Sequence, residues 1–137
     1  MLAGVELRPF IEARYRVDGA ASVLMGHSVG GLFAARVMAD SPQAFGGYFI
    51  ASPSLQFEPG LIGRLGSTNG GGRRVFIAAG GEEGPMVGLV QSLAATMGGA
   101  GASFAVRSQV FAGQGHMSVL GPMLEPGLCF LLPSGRS

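Results

Sequence analysis

The chain of 137 residues has no lysine, no tryptophan, one cysteine and two histidines, and only 12% of its residues are charged. Without lysine no loop can carry the G-K-[ST] ending of a phosphate-binding P-loop. A single cysteine, Cys129, excludes an internal disulfide framework and a thiolate zinc site, and its place in the apolar run Leu128 to Leu132 reads as core. The nine cations, all arginine, give a formal net charge of +1 and form no basic cluster, which argues against a nucleic-acid footprint. They accompany a general bias toward Ala, Gly and Arg and imply nothing further about partners. No charged segment followed by an apolar one opens the chain, so no secretion signal is visible and a cytoplasmic location is expected. The one long uncharged stretch, Gly84 to Val106, is diluted by Gln91, Ser92, Thr96 and several glycines, and splits into a helix, a glycine turn and a strand rather than a membrane span.

What is plentiful is apolar surface, at 47% of residues. That proportion, in a chain of this length, predicts a single core-rich domain spanning residues 1–137 with most strands buried on both faces. Leu7, Phe10, Ile11 and Tyr15 recur at helical spacing opposite Arg8, Glu12 and Arg16, which predicts an amphipathic helix near the start. Strands are expected at Ala21 to Met25, Gly47 to Ala51, Arg74 to Ala79 and about Phe104 to Phe111. Helices are expected over Leu32 to Met38, over Leu61 to Leu65, and along the stripe Met86, Val87, Leu89, Val90, Leu93 and Met97. Strands alternating with helices imply a parallel sheet with helices on both faces.

The segment Gly26-His27-Ser28-Val29-Gly30-Gly31 places a serine between glycines at the joint of the first strand and its helix, the nucleophile-elbow pattern G-x-S-x-G. A serine held in such a turn is crowded by its neighbours, so Gly26 and Gly30 are expected to be needed for want of a Cβ. The turn would aim the first amides of the helix, Val29 N–H foremost, at an oxyanion beside Ser28. An activated serine needs a base, and two histidines are on offer. His27 adjoins Ser28 and reads as an elbow-packing residue. His116, in Gly113-Gln114-Gly115-His116-Met117-Ser118 after the last strand, can reach over the serine from the carboxyl edge of the sheet. A carboxylate should orient that imidazole. Asp40 falls at a helix end on the far side and Glu58 in an irregular loop, whereas Glu82 and Glu83 follow the third strand at the same edge. Glu83 is favoured slightly over Glu82. Gly99-Ala100-Gly101 precedes a strand and so is no dinucleotide fingerprint, and no metal constellation or cofactor is indicated.

These segments, in this order, resemble the C-terminal half of the α/β-hydrolase branch that includes esterase D and the enterobactin-type siderophore esterases. The resemblance runs through Leu7-Arg8-Pro9-Phe10-Ile11 with Tyr15, Gly26 to Leu32, Ala51-Ser52-Pro53-Ser54-Leu55, Gly80-Gly81-Glu82-Glu83 and Gly115-His116-Met117-Ser118-Val119. It implies a partial α/β-hydrolase fold, a small-molecule ester as substrate, and Ser28 as nucleophile, His116 as base and Glu82 or Glu83 as orienting acid, without a cofactor. Some esterases of this type work with a Ser-His pair alone. Where the family places an aromatic residue, often Trp, after Ser-Pro-Ser-Leu, this chain has Gln56 before Phe57. By this resemblance the family's first four strands would have no counterpart in the sequence as given, and one of the two usual oxyanion amides would be missing with them, leaving Val29 as the expected donor. The elbow strand, internal in that fold, would then present an open edge, which predicts self-association. The alternatives to a hydrolase are a noncatalytic remnant with an interaction role and an acyltransferase sharing the first half-reaction.

Overall fold

A computed structural model of the chain describes residues 22–99 and 101–132. The amphipathic helix expected near the start lies outside the described residues. Four strands, β1 (Val23–His27), β2 (Gly47–Ala51), β3 (Arg74–Gly80) and β4 (Ala105–Phe111), form one sheet in the order β1-β2-β3-β4, with every neighbouring pair parallel. Consecutive parallel strands require crossovers. These are supplied by α1 (Val29–Asp40) with a 3-10 turn at Pro42–Ala44, by a 3-10 turn at Leu55–Phe57 with α2 (Gly60–Gly66), and by α3 (Pro85–Met97); α4 (Leu120–Leu131) follows β4.

Side chains alternate across a strand, so each central strand feeds two cores. Tyr48 and Ile50 of β2 with Val75, Ile77 and Ala79 of β3 face α1, α2 and α3, meeting Met38, Leu61, Leu65, Val90 and Leu93. Phe49, Ala51, Phe76 and Ala78 face the other way, against Val119, Met123 and Leu131 of the α4 segment. Phe49 and Phe76 meet edge to face, with ring centroids 5.2 Å apart. Such a pair adds about 0.5–1.5 kcal/mol beyond the area it buries. The sheet thus carries helices on both faces, as the alternation of elements implied.

The helices start and stop for local reasons. Pro85 opens α3, where its missing N–H has no intrahelical partner to lose, and the Gly98 N–H closes it on the Ala94 carbonyl at 2.9 Å. In α1 the Ser41 N–H bonds the Val37 carbonyl at 2.7 Å before Pro42 turns the chain away. The Gly84 to Val106 stretch resolves into α3, a turn and β4, and among the described residues no helix is long and apolar enough to cross a membrane.

The structure corrects three expectations. Only β2 and β3 are buried throughout, or nearly so; β1 and β4 are partly exposed because each stands at an edge of the described sheet. The elbow strand sits two residues later than expected, because parallel pairing with β2 continues through Gly26 and His27 despite their poor strand propensity. Cys129 is exposed rather than core: the run from Leu128 forms the last turns of α4, and only one side of a helix can face the sheet.

The α4 helix itself was not foreseen, since Gly121, Pro122, Pro126 and Gly127 all speak against one. Its seat explains Gly127. A Cβ there would lie 2.3 Å from the Phe49 ring and 2.9 Å from Phe76, so the absent side chain is what lets the helix backbone rest on the aromatic pair. Gly127→Ala should therefore lower stability by about 1 kcal/mol or more through overpacking, although Ala is the better helix former. Gly88→Ala in α3, where a Cβ meets open space, should raise it by about 0.5–1 kcal/mol. Urea unfolding of the two variants checks both signs.

Candidate active site

Every strand ends at the same edge of the sheet, and each contributes to one cluster there. After β1 the backbone of Ser28 adopts φ 64° and ψ −119°, a conformation that costs a non-glycine residue about 1–3 kcal/mol. The surroundings hold it there. The Ser28 N–H bonds the Ala51 carbonyl at 3.0 Å, and its carbonyl accepts from Leu32 N–H at 3.1 Å and Ser54 N–H at 3.0 Å. Ser28 is the N-cap of α1, so the Val29 amide belongs to the first turn, whose N–H groups have no intrahelical acceptors.

The glycines around this turn are not equivalent. A Cβ on Gly26 would lie 1.9 Å from the Gly30 carbonyl oxygen, so strand and helix can cross only where position 26 is bare. Gly30, expected to be equally necessary, would place a Cβ in open space. The second close approach falls one residue later, at Gly31, where a Cβ would meet the Ala51 carbonyl oxygen at 2.8 Å as α1 crosses the end of β2.

Glu83 follows β3. Its side chain is only 4% exposed, and both of its oxygens are engaged. Oε2 accepts from the Ser52 hydroxyl and from the Gly80 N–H, each at 2.6 Å, and Oε1 accepts from His116 Nδ1–H, also at 2.6 Å. Burial pushes the carboxyl up, but the bonds from Ser52, Gly80 and His116, with the attraction of the imidazole, outweigh it and hold the group below its ordinary value. A donor at Nδ1 fixes the neutral ring as the tautomer with a free lone pair on Nε2. Glu82, its neighbour, is exposed and lines the same cleft; its backbone N–H bonds the Gln114 carbonyl at 2.9 Å. The carboxylate bonded to His116 belongs to Glu83.

The loop after β4 is laid against β3 by further main-chain contacts. Gly81 N–H reaches the Phe111 carbonyl at 2.9 Å, and a Cβ on Gly80 would lie 2.3 Å from the Gln114 carbonyl oxygen. From the other side, His27 Nε2–H donates to the His116 carbonyl at 2.8 Å, and the two imidazole rings stand 4.6 Å apart. His27 is thus more than an elbow-packing residue: it ties the elbow strand to the loop that carries His116. Adjacent strand ends bring the two together, a contact between residues 89 apart that no local pattern announces.

Ser28, Val29, Ser54, Gln56, Phe57, Glu82, Glu83, Gly84, Met86 and His116 line one open cleft of about 630 Å³. The Ser28 hydroxyl lies 3.4 Å from that of Ser54 and makes no hydrogen bond to His116 in this structure. That contact is long for a hydroxyl pair, so the hydroxyl is weakly held, as is common in unliganded sites. Gln56 and Phe57, which follow Ser-Pro-Ser-Leu in place of the family's aromatic residue, both line the cleft, with Phe57 70% exposed. Asp40 and Glu58 are elsewhere engaged: Arg64 bonds Asp40, and Glu58 lies 3.4 Å from Arg36 and 3.8 Å from Arg64. Among the described residues no group of three or more His, Cys, Asp or Glu side chains could hold a metal ion.

This arrangement can be set beside known proteins. The chain belongs to the Putative esterase family, whose model matches residues 3–94. Ferri-bacillibactin esterase BesA of Bacillus subtilis is 39% identical over 57 residues, which are 42% of this chain and 20% of that protein. A siderophore enterobactin esterase of Emericella nidulans is 43% identical over 51 residues, 36% of this chain and 17% of that protein. The crystal structure of the BES protein from Bacillus cereus superposes with a TM-score of 0.81 at 30% identity, covering 96% of this chain and 53% of that one. The chain therefore spans about half the length of that structure. Its four-stranded parallel sheet is of the α/β-hydrolase type.

Two measurements follow from the geometry. Gly26→Ala should unfold the elbow or cost several kcal/mol, since two backbones must part, while Gly30→Ala should be tolerated within about 1 kcal/mol; thermal melts of both variants decide it. Because the folded state holds the Glu83 carboxyl below its ordinary value, the native chain binds fewer protons than the unfolded chain near pH 4. The contribution is complete above the ordinary glutamate range and is lost as pH falls through the folded value. Denaturant unfolding from pH 7 down to pH 3 should show that loss, and Glu83→Gln should flatten it.

Proposed function

We propose that this chain carries the reacting groups of a serine ester hydrolase of the siderophore-esterase kind, with Ser28 as nucleophile, His116 as general base and acid, and Glu83 as the orienting acid. The observation that carries this reading is the buried Glu83 carboxylate bonded to His116 Nδ1, in one cleft with a serine held in a strained elbow. Membership of an esterase family supports it.

In the proposed cycle Ser28 Oγ attacks the ester carbonyl carbon and its proton passes to His116 Nε2. The carbonyl oxygen becomes an oxyanion against Val29 N–H, the amide following the nucleophile. Collapse expels the alcohol, which takes the proton from His116 and leaves an acyl group on Ser28. Water then loses a proton to His116, attacks the acyl carbon, and releases the carboxylic acid as Ser28 recovers its proton. Glu83 holds the ring and offsets the charge it gains twice per cycle. This chemistry needs no cofactor. The relatives are esterases of ferri-bacillibactin and of enterobactin, and the cleft here is open and bordered by Phe57 and Met86, which suits a bulky siderophore ester.

A fluorophosphonate probe and an aryl ester test the reading on the chain as it stands. The probe should label Ser28 and lose its adduct in Ser28→Ala; His116→Ala should lower ester turnover by at least about a hundredfold, and Glu83→Gln by less. Adducts on another serine, or turnover undiminished in Ser28→Ala, would overturn it.

A further inference from the structure

Ser52 stands out among the residues around the cleft. It is wholly buried, and with φ 41° it is, besides Ser28, the only non-glycine residue of left-handed φ among the described residues. A strained backbone persists only where the surroundings fix it, and such residues gather where the strain serves the site. Here the Ser52 N–H bonds the Ala78 carbonyl of the neighbouring strand at 2.8 Å, which turns the hydroxyl out of the sheet and onto Glu83 Oε2.

The consequence is an asymmetric carboxylate. Oε2 is taken up by two donors, Ser52 Oγ–H and Gly80 N–H, so the carboxyl cannot rotate to offer it elsewhere, and Oε1 alone is left for His116. Of the two, only the Ser52 donor comes from a side chain and from outside the β3 turn. We infer that Ser52 is a positioning residue of the reaction centre, holding the Glu83 carboxyl so that Oε1 is aimed at His116 Nδ1. This rests on the proposed roles of Glu83 and His116.

The titratable groups around Glu83 are His116, bonded to it, Glu82, next in the chain on the cleft, and His27, whose ring is tilted against that of His116. None of them replaces the Ser52 donor. With that hydroxyl gone, burial of the carboxyl is opposed by one bond fewer and Glu83 takes up its proton at higher pH. A protonated Glu83 no longer favours the imidazole that gains charge in the transition state.

Ser52→Gly is the informative variant, because glycine accepts φ 41° without strain and so removes the hydroxyl while keeping the fold. Ser52→Ala is its companion. Titration of the Glu83 side-chain carboxyl by NMR in the folded protein needs no turnover, and in both variants it should move to higher pH than in the parent chain. An unmoved titration in the folded Ser52→Gly protein would overturn the inference, whether or not the chain hydrolyses esters. Where turnover is measurable, Ser52→Gly should lower kcat about tenfold or more with KM unchanged, as expected for a lost hydrogen bond to a charged group. It should have no further effect in a Glu83→Gln background. Equal losses in both backgrounds would show that Ser52 does not act through Glu83, and would overturn it too.

Discussion

A nearly buried carboxylate is the constraint on which this edge of the molecule is built. An anion removed from water must find donors, and Glu83 finds three: one at the end of β2, one at the end of β3, and one on the loop after β4. Meeting that demand depends on the relative height of the three strand ends, which the sheet register sets. The demand is met in part by the left-handed turn at Ser52, which brings the hydroxyl to Glu83, and by a loop after β4 that lies so close to Gly80 that no Cβ would fit between. His27 closes the circle by tying β1 to the same loop. The cleft residues sit at the carboxyl edge because parallel strands all end there, and the buried charge bridges those ends.

Much of this was legible in the chain. The bounds of β2 read directly from Gly47 to Ala51, since five apolar or small residues between turn signals can do little but span a buried sheet. The alternation of strands and helices gave the sheet and its direction, and the order serine, acid, histidine pointed to the residues that meet at its edge. The choice between Glu82 and Glu83 was only slightly legible, and the slight preference for Glu83 matches the carboxylate bonded to His116. Adjacent residues point in different directions, and which one turns inward depends on the path of a glycine turn whose partners, Phe111 and Gln114, lie some thirty residues on.

Other features were hidden for a related reason. Local propensity argues against α4, yet Val119, Met123, Gly127 and Leu131 recur every four residues and form the face that meets Phe49 and Phe76. Tertiary packing overrides propensity there, and Gly127, which weakens an isolated helix, is what allows the contact. The elbow glycines show the converse. The motif marks Gly30, but steric need falls on Gly26 and Gly31, because the close approaches are set by where α1 crosses the strand ends rather than by symmetry about Ser28.

The two strained serines describe a division of labour. Ser28 is turned out of the sheet into the cleft, weakly held and 3.4 Å from Ser54, while Ser52 is turned inward and tightly bonded to a buried charge. Both conformations cost free energy, and in both the backbone N–H is captured by the carbonyl of a residue on the adjacent strand, Ala51 for Ser28 and Ala78 for Ser52. Each strand end thus forces a serine out of line through its neighbour in the sheet. The first leaves a hydroxyl open to the cleft; the second leaves a hydroxyl that donates to a buried carboxylate. A parallel sheet with fixed register can place both, because the offset between neighbouring ends is set by the ladder hydrogen bonds and not by the loops that follow. The weakly held serine hydroxyl at the end of β1 therefore stands one strand away from Ser52, whose hydroxyl is committed to Glu83 and through it to His116.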